Sequence, residues 1–178
     1  MKKDVKLKNL IASLYDFSNL VKQPAGELSA DLEKARLFLK RILEMNLFSV
    51  FMHDYLENKL MPVFSYGEPY NLVDAVNFRL GKGATGWCFA HRKPLLIKKM
   101  HRKNSFGRFF VNSFLAVPII INGEAIGAVV TGCFEEGAYS DGDRFLMEMI
   151  APYVGLLLVR EHLESMEKES LPESERIR

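Results

Sequence analysis

Six residues, Gly81-Lys82-Gly83-Ala84-Thr85-Gly86, carry the G-x-G-x-x-G spacing that lets a backbone turn cradle a phosphate. That chemistry also needs a buried strand before the turn and an acid about 20 residues beyond it to hold a ribose. No acid occurs between Asp74 and Glu124, and Trp87 stands where a P-loop would place lysine. The glycines therefore read as a turn into a helix, not as a nucleotide site.

The acid-free stretch is the strongest bias in the chain. It holds Arg79, Lys82, Arg92, Lys93, Lys98, Lys99, Arg102, Lys103 and Arg108, with His91 and His101. Such a run could draw an anionic ligand. The plainer reading is a solvated basic loop balanced by an acidic last helix, because charge runs are usually solvated faces. Phe106, Phe109 and Phe110 interleave with these cations, but no stacking-platform motif accompanies them, so nucleic acid is not expected as a partner.

Two cysteines, Cys88 and Cys133, are too few for a disulfide framework or a four-cysteine zinc site. Both sit in apolar segments and read as reduced, buried thiols, which suits the cytoplasm. His91 follows Cys88 by one helical turn and is the nearest candidate to activate it. The four histidines, His53, His91, His101 and His162, show no metal-ligand spacing. No catalytic triad or carboxylate pair stands out, and the chain is not expected to be an enzyme.

Hydrophobic residues make up 48% and charged residues 26% of the 178, with a net charge of +2. That balance supports one globular domain and excludes global disorder. No apolar run reaches the ~20 residues that span a bilayer. Lys6 and Lys8 interrupt any signal-peptide core. No membrane association is expected.

These residues must be positioned by the elements around them. Leu7, Leu10, Ile11, Leu14, Phe17 and Val21 recur at helical spacing, ended by Gln23-Pro24-Ala25-Gly26. Ser29 suits the N-cap of a second helix, with Leu32, Ala35, Leu39 and Ile42 as its stripe. Strands are predicted over Leu47 to Tyr55 and Leu60 to Tyr66, joined at Glu57-Asn58. Pro62 places the second of them at an edge. A short extended piece over Val76 to Leu80 precedes the glycine turn. The helix after that turn stops before Pro94. Strands follow over Leu95 to Ile97, Ser113 to Ile121 and Ala125 to Phe134. Asn122-Gly123 gives the last two a tight hairpin turn, and Gly127 and Gly132 suggest a bulge or a close backbone approach. Ser140 and Asp143 form a capping box for the last helix. Its stripe reads Phe145, Met149, Tyr153, Leu156, Val159, Leu163 and Met166, with Pro152 expected to kink it. The end, Leu171 to Arg178, reads as a disordered tail.

In this order and spacing the elements resemble the GAF family, over roughly Leu28 to Leu158. The resemblance rests on the glycine turn Gly81 to Trp87, on Pro94-Leu95-Leu96-Ile97, and on Ser113 to Ile119 with its Pro118. It rests further on Gly123 to Ala128 and on the capped start at Ser140 to Asp143. It implies an α+β fold: a central antiparallel sheet of five or six strands, N- and C-terminal helices on one face, and short helices and loops over a pocket on the other. Residues 1–26 would be an N-terminal helix and linker, 27–160 the GAF-like domain, and 161–178 a helical extension and tail.

The family places its pocket wall at Trp87, Met100, Phe106, Phe109 and Phe110. Arg108, Asn112, Ser113 and Thr131 would supply the few polar groups such pockets use. The aromatics could equally fill the pocket and leave an interaction module. Many GAF sequences carry an aspartate after the small strand, where this chain has Lys98. The cyclic-nucleotide residues are matched only at Asp143. Bilin-binding members attach their chromophore at a Cys-His pair, and Cys88 is followed by Phe89. The methionine-(R)-sulfoxide reductases of this fold carry a cysteine within the glycine turn, and this turn has none. The resemblance thus implies a ligand-sensing or docking domain that forms a homodimer through its terminal helices. No output domain follows in these residues, so either a separate protein is expected to carry the output or the chain is a fragment of a longer one.

Overall fold

A computed structural model describes residues 15, 17–19, 22, 26–67, 81–99 and 111–170. The predicted extended piece at 76–80, most of the first helix, most of the basic connection and the C-terminal tail lie outside these residues.

Helix α1, Leu28–Lys40, buries Leu32, Ala35 and Leu39 of the stripe read from the sequence, together with Phe38, and ends before Ile42. Its N-cap is Glu27, not Ser29. Gly26, at φ 101°, turns the chain so sharply that the helix begins two residues early, and no side chain caps it. Strands β1, Leu47–Asp54, and β2, Lys59–Tyr66, pair antiparallel around a turn. In that turn Asp54 Oδ1 accepts from Leu56 N at 2.9 Å and Glu57 N at 3.1 Å, and Asn58 takes φ 49°.

Helix α2, Gly83–His91, ends where Arg92 adopts the left-handed conformation, before Pro94. Strand β3, Leu95–Ile97, pairs with β4, Ser113–Ile121, which pairs with β5, Glu124–Cys133. Asn122 and Gly123 both take positive φ, as a two-residue hairpin requires. The sheet runs β2-β1-β5-β4-β3 with every pair antiparallel. Pro62 therefore lies on an edge strand, where its missing N–H costs no ladder bond. The register shifts opposite Ile126, next to Gly127. A Cβ on Gly127 would run into the Phe51 carbonyl, which is the close approach its sequence position suggested.

Helix α3, Asp141–Ser170, carries Pro152 in its interior. The capping box closes reciprocally: Ser140 N and Oγ donate to Asp143 Oδ2, each at 2.7 Å, and Asp143 N donates to Ser140 Oγ at 3.3 Å. Two hydrophobic clusters lie on opposite faces of the sheet. One packs α1 and α3 against Phe48, Val50, Leu115, Val117 and Val129. The other packs α2 against Phe51, Phe114, Ala116 and Val130.

The face of α3 that packs on the sheet is not the one read from the sequence. Leu146, Met147, Ile150, Val154, Leu157 and Leu158 are buried. Phe145 (57%), Met149 (55%), Leu156 (48%), Leu163 (55%) and Met166 (55%) are exposed. At about 100° per residue these two sets lie on opposite sides of the helix. Both have helical spacing, so periodicity alone could not choose between them.

Candidate functional site

The α2 side of the sheet is built from the glycine turn outward. Gly81 N donates to Gly86 O at 3.1 Å, closing the turn that launches α2. At its far end Arg92 ties α2 to the β4–β5 hairpin, donating from Nη1 to Gly123 O at 2.8 Å and from Nη2 to Glu124 Oε2 at 2.7 Å. Cys88 and Phe89 pack down onto the sheet, and Phe89 stands 4.8 Å from the His53 ring.

The residues expected to line one pocket do not all converge there. Trp87, half-buried on α2, stacks on His91 at 4.4 Å, and His91 Nδ1 donates to the Trp87 carbonyl at 2.9 Å. Side chains alternate along a strand. Phe114 faces α2, so Ser113 points to the α1–α3 side, and Thr131 shares the side of Val129 for the same reason. Their hydroxyls are occupied there. Ser113 Oγ donates toward Glu135 O at 2.6 Å, lies 3.2 Å from Lys98 O, and accepts from Ala138 N at 3.1 Å. Thr131 Oγ1 lies 3.1 Å from Leu47 O and 2.9 Å from the Tyr139 hydroxyl. Burial holds the Tyr139 phenol well above its ordinary range. Asn112 Nδ2 donates to Phe134 O at 2.7 Å. All three residues fasten the connection between β5 and α3. Met100, Phe106, Arg108, Phe109 and Phe110 lie outside the described residues.

Three hydroxyls missed by the sequence reading stand out instead. Ser49 is 1% exposed and alternates with Phe48 and Val50, which places it on the α2 side. Its Oγ donates to Ser65 Oγ at 3.0 Å across the β1–β2 pair. Thr85, inside the glycine turn, is fully buried, and its Oγ1 has no hydrogen-bond partner among the described residues. Only its place in the G-x-G-x-x-G run could have drawn attention to it.

Cys88 is fully buried, and burial first, then the Glu148 carboxylate, pushes its thiol up to about 12. His91 spends itself on Trp87 and does not activate the thiol. Cys133 belongs to the cluster on the opposite sheet face. Among the described residues of the basic run, Arg92 pairs with Glu124 at 2.7 Å and Lys99 with Glu136 at 2.8 Å. A cleft of about 470 Å³ opens between the end of α1 and the end of β5, lined by Arg41, Glu44, Asn46, Cys133 and Glu135 among others. Among the described residues no group of three or more His, Cys, Asp or Glu could hold a metal, and no helix is long and apolar enough to cross a membrane.

A five-stranded antiparallel sheet with terminal helices on one face and a short helix on the other defines an α+β protein. The family model described as the GAF domain matches residues 34–159, and the chain belongs to that family, whose fold serves small-molecule sensing and regulation. The chain is similar to the GAF domain of a phosphoenolpyruvate-protein phosphotransferase from Coxiella burnetii. Identity is 18%, over 89% of this chain and 98% of that one, with a TM-score of 0.74. A GAF domain from an Acinetobacter phosphoenolpyruvate-protein phosphotransferase is 15% identical, over 86% and 95%, at 0.71. The free methionine-R-sulfoxide reductase of Neisseria meningitidis, solved with its substrate, is 16% identical over 79% and 83%, at 0.65. At these identities the likeness is one of fold. No curated protein matches the chain.

Proposed function

We propose that this GAF domain is a cytoplasmic sensor that binds a small molecule on the α2 side of its sheet and acts as a homodimer through the outer face of α3. The observation that carries the reading is that α3 is apolar on two opposite faces while the body of the domain covers one. A helix hydrophobic all round is a buried helix. Six exposed side chains from Phe145 to Met166, Tyr153 among them, extend over roughly 30 Å at 1.5 Å per residue. Charges beside them are paired within the helix, Arg144 with Glu148 at 3.0 Å and Arg160 with Glu164 at 3.3 Å, so a second copy meets no uncompensated field.

The Thr85 hydroxyl, without a partner among the described residues, and the Ser49–Ser65 pair favour a ligand with hydrogen-bonding groups. The acid-free run makes an anion the better fit, with Arg108 as its countercharge and Trp87, Met100, Phe106, Phe109 and Phe110 as the apolar wall. Thiol-dependent reduction is disfavoured by the protonated Cys88 and by the placement of Cys133 beyond the sheet.

Native mass spectrometry of the protein as purified tests both halves. The expected result is a dimer carrying extra mass that denaturation removes, with Leu163→Glu reducing it to a monomer. A bare monomer at every concentration would refute the dimer. A dimer at bare mass would refute the sensor, and unchanged ligand capture by Arg108→Ala would refute the role given to Arg108.

A further inference from the structure

Arg160 interrupts the outer apolar face of α3. It follows Leu156 by four residues and precedes Leu163 by three, the spacing of the exposed side chains themselves. Yet its side chain is only 22% exposed, because it turns aside to α1, where Nη2 donates to Asp31 Oδ2 at 3.0 Å. Asp31 is fully buried in the first turn of α1, and Lys34 Nζ lies 3.7 Å from its other oxygen. Arg160 Nη1 is buried without an acceptor among the described residues. A buried ion pair gains little net stability over apolar packing, and its best-attested use is to specify one arrangement.

We propose that Asp31 and Arg160 form a latch that couples the docking of α1 on α3 to the availability of the outer α3 face. With the latch closed, the guanidinium lies to the side and the ridge from Leu156 to Leu163 is clear for a second copy. With α1 displaced, the Asp31–Arg160 bond is lost, and Arg160, still paired with Glu164 on its own helix, can turn onto the ridge. A charge there would oppose close helix packing. A ligand that moved α1 would thereby weaken the dimer without touching its interface. This inference rests on the dimer reading above.

The test uses the full chain with spin labels at Leu37→Cys and His162→Cys, both on exposed positions, since the native thiols are buried, and the labelled chain is diluted with unlabelled protein so that distances within one chain are read. Pulsed dipolar spectroscopy reads the α1–α3 distance, and sedimentation velocity reads self-association. The latch predicts one narrow distance in the parent and a broadened distance in Asp31→Asn and Arg160→Gln, with self-association at least tenfold weaker in Asp31→Asn, which releases the guanidinium, but not in Arg160→Gln, which leaves no charge to reach the ridge. Arg160→Lys, which keeps the charge, restores the narrow distance. Leu163→Glu keeps the narrow distance while losing the dimer. An unchanged distance in Asp31→Asn and Arg160→Gln overturns the latch, whether or not association weakens. If the parent is monomeric, the dimer reading fails and the latch falls with it as a regulator, while broadening would still establish the α1–α3 coupling.

Discussion

Ser113, Thr131 and Cys88 carry the sharpest consequences at the scale of single residues. Ser113 and Thr131 read as ligand donors in the sequence because their strand parity was undetermined. The register Ser113↔Cys133 and Leu115↔Thr131 puts both on the helix side. Ser113→Ala should therefore leave ligand capture intact and destabilise the fold. It strands the Ala138 N–H and two carbonyl contacts, at a cost of about 1–3 kcal/mol. Urea denaturation beside native mass spectrometry separates the two effects. Unchanged stability with lost ligand would return Ser113 to the binding site.

Cys88 makes a pH prediction with a defined sign. Its thiol moves from an ordinary value of 9.0 to about 12 on folding. Below the lower value both states are protonated and the thiol contributes no pH dependence. Between the two values the unfolded chain releases the proton and the folded one keeps it, so stability falls as pH rises. The slope is on the order of 1 kcal/mol per pH unit. Cys88→Ser should flatten the alkaline decline in urea midpoint relative to the parent, and parallel declines would refute the buried-thiol account. Native Cys88 should also resist alkylation until the protein unfolds.

At the scale of elements, what was legible was what local chemistry decides. Asn122-Gly123 dictates a hairpin by its positive φ, Pro62 an edge strand, and Ser140 with Asp143 a helix start. Each of these signals acts within a few residues, and each appears where expected. Ser29 failed as an N-cap because Gly26 had already turned the chain. The inner face of α3 was not legible, since two stripes of equal period run along one helix and only the sheet selects between them. Gly155 marks the selected side: a Cβ there would stand 2.6 Å from Ile119 Cγ2 and 2.9 Å from Ile121 Cδ1. Gly155→Ala gains about 0.5–1 kcal/mol in helix propensity. It loses about 1–3 kcal/mol to overpacking against β4. The net expectation is destabilisation, seen as a thermal midpoint lower by a few degrees, roughly 2–4 °C per kcal/mol for a domain of this size. A raised midpoint would mean that α3 shifts freely on the sheet.

For the molecule as a whole, the sheet divides two cores with different tasks. The α1–α3 side is fastened by Ser113, Thr131, Asn112 and the Asp31–Arg160 pair, whose Arg160 Nη1 is left without an acceptor among the described residues. The α2 side holds the buried hydroxyl of Thr85 without a partner among the described residues. A sequence that folds well keeps such conflicts for sites with another purpose. Sequence reading could not locate the conflict, because it depends on which atoms approach Thr85 in three dimensions. Thr85→Val tests the division. It keeps the β-branched shape and removes a desolvated hydroxyl, so the ligand-free protein should gain roughly 1 kcal/mol. Ligand retained through purification should fall, because the hydroxyl is the group proposed to meet it. Stabilisation with lost ligand would mark Thr85 as a place where stability is given up for binding. Destabilisation would mean that the hydroxyl is satisfied in the folded protein, and the α2 side would lose its strongest claim to the site.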